Sequence, residues 1–234
     1  MAAITVPNQA VPYVLFQRTG YLIGTKIPVF NRLFRWLPYN QYVLLEARLF
    51  RSRIKRCYST DMAQEYARIK EHLPSRAFRI LDIGCGVAGI DVFLNRHYET
   101  SHPEFFLIDR SETAARVYYD FKQSGAFYNS LDVAVDLMSS NGVPLERIHV
   151  QEADQGRVMF PAPSYDLIIS LISWGFHYPV SAYLDAVRER LSRDGVLILD
   201  IRRDSGGVEA IEEAFGDVRE IFGAEKYVRL AARR

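Results

Sequence analysis

The segment Ile80-Leu81-Asp82-Ile83-Gly84-Cys85-Gly86-Val87-Ala88-Gly89 is an apolar run broken by one acid and closed by three closely spaced glycines. Glycines at 84, 86 and 89 allow a tight turn and a close approach of backbone to ligand that a side chain would block. A helix starting near Gly86 would point its unpaired N–H groups at the same place, which makes this a candidate nucleotide site. The same turn can also serve as a plain strand-to-helix connection, and three later runs of the chain weigh against that. Phe105-Phe106-Leu107-Ile108-Asp109 is a second apolar run ending in an acid, and a carboxylate there can accept both hydroxyls of a ribose. Asp109 could equally cap a helix, since Ser111 and Glu112 come next. Ile148 to Asp154 is a third such run, where Asp154 could accept from the exocyclic amine of an adenine with Gln155 alongside; a solvated loop acid is the alternative.

These residues need a scaffold. Tyr165 to Ser173 reads as a buried parallel strand running into an aromatic loop, Trp174-Gly175-Phe176-His177-Tyr178-Pro179. A helix from about Ser181, with Leu184, Val187 and Leu191 on one face, leads through Asp194-Gly195 into an apolar strand from Val196 to Asp200. Helix, turn and apolar strand in alternation is the rhythm of a parallel sheet covered on both faces.

Taken in order, the motifs resemble the class I S-adenosylmethionine-dependent methyltransferases over about residues 78–234. Asp82-x-Gly84-x-Gly86-x-x-Gly89 is similar to that family's first motif, Asp109 to its ribose acid, and Asp154 to its adenine-side acid. Ser192-Arg193-Asp194-Gly195-Val196 resembles the turn into its fifth strand. The Trp174–Pro179 loop and the run Phe127-Tyr128-Asn129-Ser130-Leu131 also resemble a group of proposed sugar O-methyltransferases. The resemblance implies an α/β fold: a Rossmann-like, doubly wound sheet of seven strands, the last antiparallel. It implies S-adenosyl-L-methionine as cofactor, with S-adenosyl-L-homocysteine as product, and Asp82 near the methionine end. Cys85, Arg110, Gln155 and Ser170, at the same strand ends, join the cofactor-binding set. Tyr128, Trp174, Tyr178 and Arg202 are expected as acceptor-pocket residues.

A sulfonium methyl is already activated, so such a protein mainly aligns the acceptor and excludes water. A hydroxyl acceptor also needs a base at neutral pH. His177 is the candidate base, because imidazole titrates near working pH; a structural histidine bonded to the loop is the alternative. The expected reaction is O-methylation of a small polar acceptor, a sugar being one. N-methylation of a small amine would survive loss of His177. A non-catalytic cofactor-binding protein would dock a partner or membrane through a basic surface. A nicotinamide-dependent oxidoreductase would leave Asp82 and Asp154 without a purpose.

The chain has 234 residues, 49% of them hydrophobic, enough to bury one sizeable core. Its two cysteines fall on an expected helix (Cys57) and in the glycine loop (Cys85), so a disulfide framework is not expected, and Cys85 reads as a small side chain beside a cofactor. No zinc-like spacing of Cys and His appears, and no metal is expected. Residues 1–60 hold nine Lys or Arg and one acid, Glu46, a charge of +8 in a chain of net +1; the rest carries −7. Nucleic acid is not an expected partner of that acidic body. Val11 to Phe30 is interrupted by Arg18 and Lys26 and makes a poor membrane span, and no leader pattern opens the chain, so the expected compartment is the cytoplasm.

Residues 1–74 are expected to form an aromatic, basic helical cap on a cofactor-binding domain at 75–234. Tyr13, Phe16, Tyr21, Phe30, Phe34 and Trp36 are too many aromatics for a disordered tail, so this segment should pack on its own core or on a second subunit, a homodimer. Val43, Ala47, Phe50, Ile54 and Cys57 predict a helix from Asn40 to about Tyr58 whose other face is basic and could meet an anionic surface, peripheral membrane contact included. Asp61 and Gln64 resemble a capping box and predict a new helix from Asp61 to His72. Residues between Asp109 and Ile148, with a helix at about 130–140, are expected to wall the acceptor pocket. The C-terminus reads as a helix (208–215) and two strands near 218–222 and 227–231.

Overall fold

A computed structural model describes residues 2–23, 36–111, 129–153 and 161–234. The helices are α1 (Ala10–Gln17), α2 (Tyr39–Leu49), α3 (Arg51–Ile69), α4 (Gly89–His97), α5 (Leu131–Ser139), α6 (Leu184–Arg190) and α7 (Gly207–Ala214). The strands are β1 (Arg79–Ile83), β2 (Glu104–Asp109), β3 (Ile148–Glu152), β4 (Tyr165–Ser170), β5 (Ser173–Tyr178), β6 (Leu191–Arg202), β7 (Asp217–Gly223) and β8 (Tyr227–Arg233). Seven of them form one sheet in the order β3-β2-β1-β4-β6-β8-β7. The first five in that order run parallel, and β8 lies antiparallel between β6 and β7. The doubly wound sheet with an antiparallel last strand is therefore the one the sequence implies.

Strand periodicity sends alternate residues to two cores. Ile80, Phe105, Leu107, Leu167, Ile169, Val196 and Ile198 meet α4, α5 and the N-terminal helices on one face. Leu81, Ile83, Phe106, Ile108, Ile168, Leu197 and Leu199 meet α6 and α7 on the other. Covering both faces explains why these strands read as unbroken apolar runs rather than as alternation.

The N-terminal segment packs on its own chain. Ala10, Val11, Val14, Leu15 and Phe16 of α1 are buried in the same core as β1 and β2. Ile4 N donates to Ser59 Oγ at 3.0 Å, and Asn141 grips Thr5, accepting from its N–H and donating to its carbonyl, both at 2.8 Å. The basic N-terminal sequence instead buries its one acid: Glu46 accepts from Ile23 N at 2.7 Å and from the Tyr42 hydroxyl. Phe30 and Phe34 lie outside the described residues, and Trp36 is 74% exposed.

Three sequence expectations need correction. The helix break falls at Phe50, not Asp61: α2 ends where Phe50 N bonds to Glu46 O, and α3 runs unbroken through Asp61. Asp61 caps nothing, because its carboxylate is held by the Tyr21 hydroxyl and by Arg18 at 3.6 Å. Residues 173–178 are an extended strand rather than a loop. Gly175 there has φ +87°, and a Cβ on it would fall 2.7 Å from the Asp200 carbonyl. Finally, α6 begins at Leu184 and buries only Val187, while Leu191 already opens β6. No helix among the described residues is long and apolar enough to cross a membrane.

Candidate functional site

The turn after β1 is tied to the end of β2. Gly84 N donates to Ile108 O at 2.6 Å, and Gly86 N donates to Asp109 Oδ2 at 2.7 Å. Asp109 Oδ1 accepts from Arg110 N at 2.7 Å. Burial pushes the Asp109 carboxyl up to about 6, against the pull of the Gly86 and Arg110 N–H groups and the Asn129 side chain. Gly84 and Gly86 take φ of +79° and +57°, but the third left-handed position is Ala88 at +58°. Gly89, the third glycine of the motif, opens α4 with an ordinary φ. Gly89 is needed for space: a Cβ there would sit 2.2 Å from the Tyr58 hydroxyl, which reaches over from α3.

Beneath the turn lies an acid pair. Asp82 on β1 and Asp91 in the first turn of α4 are 3% and 0% exposed and near enough for Asp82 to feel the Asp91 charge, and neither Asp91 oxygen has a hydrogen-bond partner among the described residues. Two buried carboxylates that feel each other's charge do not both ionise, so one proton stays on the pair. Burial, then the Asp91 charge, holds Asp82 well above the carboxylate range, and burial raises Asp91 to about 7. Cys85 is also buried, and burial with the Asp109 charge raises its thiol, so it stays protonated and unreactive.

The other strand ends sort the remaining candidates. Ser170 is fully buried and its hydroxyl is committed, donating to Ile83 O at 2.7 Å and accepting from Trp174 N at 3.0 Å. It ties β1 to β4 rather than facing a ligand. Trp174 is likewise a correction: it is fully buried in the α6–α7 core, its indole N–H donating to Val180 O at 2.9 Å, so its ring packs among core side chains. Tyr178 is half-buried and feels both Asp109 and Arg110; burial raises its hydroxyl to about 12. His177 is half-buried beside Phe176, and burial and then the Arg202 charge lower its pKa. Arg202, at the end of β6, stands 6.0 Å from the Phe176 ring. Asp109, Arg110 and Tyr178 thus gather at one place, with His177 and Arg202 together on the neighbouring strands. Tyr128, Asp154 and Gln155 lie outside the described residues.

The N-terminal segment covers the turn. The Gln17 carboxamide at the end of α1 lies over Gly86, its Oε1 2.7 Å from where a Cβ would be, and Gln17 Nε2 donates to Asn129 Oδ1 at 3.3 Å. Tyr58 is buried over Gly89, with Arg18 5.8 Å above its ring. Further along the strand ends, Asp200 holds the β4–β5 turn by accepting from Ile172 N at 3.1 Å. Arg229 clamps Asp200 at 2.6 and 2.8 Å and meets Glu65 of α3 at 2.6 Å. Asp91, Gln17, Tyr58 and Arg229 do not stand out in the sequence as site residues. Asp91 and Arg229 do carry a signal, a lone charge in an apolar run; Gln17 and Tyr58 carry none.

The turn can hold an adenosyl cofactor. Both Asp109 oxygens keep lone pairs for hydroxyl donors, and the buried Asn129 Nδ2 finds no acceptor at hydrogen-bonding geometry. An unsatisfied buried donor beside a half-buried carboxylate suits a group that both donates and accepts, such as a ribose hydroxyl.

No protein-family model matches the chain. No curated protein matches it in sequence. Among solved structures, a proposed O-methyltransferase from Nostoc punctiforme is similar over 96% of this chain and 72% of its own, at 14% identity and a TM-score of 0.55. The precorrin-6y C5,15-methyltransferase of Geobacter metallireducens matches 74% of this chain and 86% of its own, at 15% identity and a TM-score of 0.48. The chain has the fold of the class I S-adenosylmethionine-dependent methyltransferases.

Proposed function

We propose that this chain is an S-adenosylmethionine-dependent methyltransferase acting on a hydroxyl of a small polar acceptor, a sugar being the first candidate. The observation that carries the reading is the half-buried Asp109 carboxylate, gripping the glycine turn through Gly86 N at the mouth of the sheet. Ligands of such sheets bind outside the carboxyl ends of the strands, where the order reverses between β1 and β4. Residues 1–74 act as a cap on the cofactor-binding body at 75–234.

When bound, S-adenosylmethionine supplies a methyl group already activated on a sulfonium sulfur. Asp109, Gly86 and the acid pair beneath them hold it, with Asp154 and Gln155 assigned to the adenine side. His177 takes the proton of the acceptor hydroxyl. Burial and the Arg202 charge disfavour its protonated form, so at neutral pH it is the free base. Arg202 and Tyr178 orient the acceptor.

The test is transfer of labelled methyl from S-adenosylmethionine into a cell extract split into polar small-molecule, polysaccharide, lipid and macromolecular fractions. Label in a sugar-containing fraction, lost in both Asp109→Ala and His177→Ala, is the expected result. Label that persists without His177 would remove the base and point to an amine acceptor. Cofactor binding with no label in any fraction would favour a non-catalytic protein.

A further inference from the structure

Asn129 lies two residues before α5 and only 4% of it is exposed. An amide that deeply buried normally uses both ends, because a buried donor left unmet is costly. Its oxygen is used: Asn129 Oδ1 accepts from Gln17 Nε2 at 3.3 Å. With the oxygen so engaged, Nδ2 is the end left to face Asp109, whose carboxyl the Asn129 side chain helps to hold down. It stands near that carboxylate without reaching hydrogen-bond geometry. Asp109, its neighbour, is an acceptor only, and each of its oxygens already takes one backbone N–H.

A hydroxyl resolves both deficits at once. It donates its hydrogen to the carboxylate and accepts a hydrogen on its own lone pair. A carboxylate alone recognises only the donor half of a hydroxyl; a carboxylate with an adjacent amide N–H recognises both halves. We infer that Asn129 is a ribose-binding residue, its Nδ2 donating to a cofactor hydroxyl that itself donates to Asp109, with Gln17 positioning the amide. The inference rests on the S-adenosylmethionine-binding reading above. It also makes α1 part of the cofactor site, since the residue that orients Asn129 lies 112 positions before it in the chain.

The experiment is calorimetric binding of S-adenosylhomocysteine and of its 2′-deoxy and 3′-deoxy analogues to the full chain. Asn129→Leu keeps the volume and removes the amide. It is expected to weaken S-adenosylhomocysteine about tenfold, the worth of one such hydrogen bond. It should leave unchanged the binding of whichever deoxy analogue lacks the partnered hydroxyl. Gln17→Leu leaves Asn129 in place but unanchored, and should weaken S-adenosylhomocysteine in the same selective way by a smaller factor. It serves as the test if Asn129→Leu does not fold. Equal weakening of all three ligands, or binding within twofold of wild type, overturns the inference, since a merely structural asparagine would not distinguish the hydroxyls. If the wild-type chain binds no S-adenosylhomocysteine, the reading beneath fails and the inference with it; if it binds and the variants do not discriminate, only the inference fails.

Discussion

Replacing Asp91 with Asn should flatten the pH dependence of stability. Asp91 is fully buried near Asp82 and has its carboxyl raised from 3.8 to about 7 by burial. A carboxyl raised on folding binds more protons in the native state than in the unfolded chain. Its contribution to stability is therefore complete below the unfolded pKa and is lost as pH rises to about 7. A rise from 3.8 to about 7 is worth at most about 4 kcal/mol at 1.36 kcal/mol per pH unit. For a chain of this size that is a fall of roughly 10 °C in melting temperature between pH 4 and pH 7.5. Asp109, raised to about 6, adds a slope of the same sign in both proteins, so the difference between them isolates the pair. Among the described residues, Tyr58, Cys85 and Asp109 are the other titratable groups facing the pair, and Tyr58 and Cys85 stay neutral across this range, both raised by burial. The assay is the melting temperature of wild type and Asp91→Asn at half-unit steps from pH 4.5 to 8. The wild type should lose stability through this range and the variant should lose much less, so that the variant gains relative to wild type as pH rises. Parallel curves would refute the shared-proton pair.

Arg229→Met should cost about 3–5 kcal/mol in urea denaturation, because it leaves the fully buried Asp200 without its cation and releases Glu65, which joins α3 to the end of the sheet. Gly89→Ala should destabilise by about 1–3 kcal/mol, since the new methyl group meets the buried Tyr58 ring and hydroxyl at 2.2–2.8 Å, and thermal melting would show it. If His177 is the base, methyl transfer should fall in acid with a midpoint below 6.5, because burial and Arg202 lower the pKa of its imidazole. A pH–rate profile with its acid limb above 6.5, or the same limb in His177→Asn, would assign the proton transfer elsewhere.

The parallel sheet was legible because strands buried on both faces must be apolar along their length, and Ile80–Ile83, Phe105–Ile108 and Leu167–Ile169 announce themselves that way. The glycine turn and Asp109 were legible because a left-handed backbone and a strand-end acid leave a mark in residue type. Helix boundaries in the N-terminal segment were not. Arg51–Ile69 has no capping pattern at Phe50, and Asp61 looks like a cap only until Tyr21 and Arg18 arrive from elsewhere in the chain to hold it. Trp174 misled for a related reason: an aromatic in a run of aromatics does not say whether it faces a ligand or a core, and here its indole finds Val180 O inside the protein.

By itself the sequence determined what each residue can do locally: which segments are apolar enough for buried strands, where the backbone can turn left-handed, and which acids end a strand. Tertiary structure alone decided which distant side chains meet. Gln17 over Gly86, Tyr58 over Gly89, Asp82 against Asp91, and Arg229 between Asp200 and Glu65 are contacts between separate elements. The energies that select them, burial of a charge and satisfaction of a donor, depend on distances across the fold and leave no period or spacing in the chain.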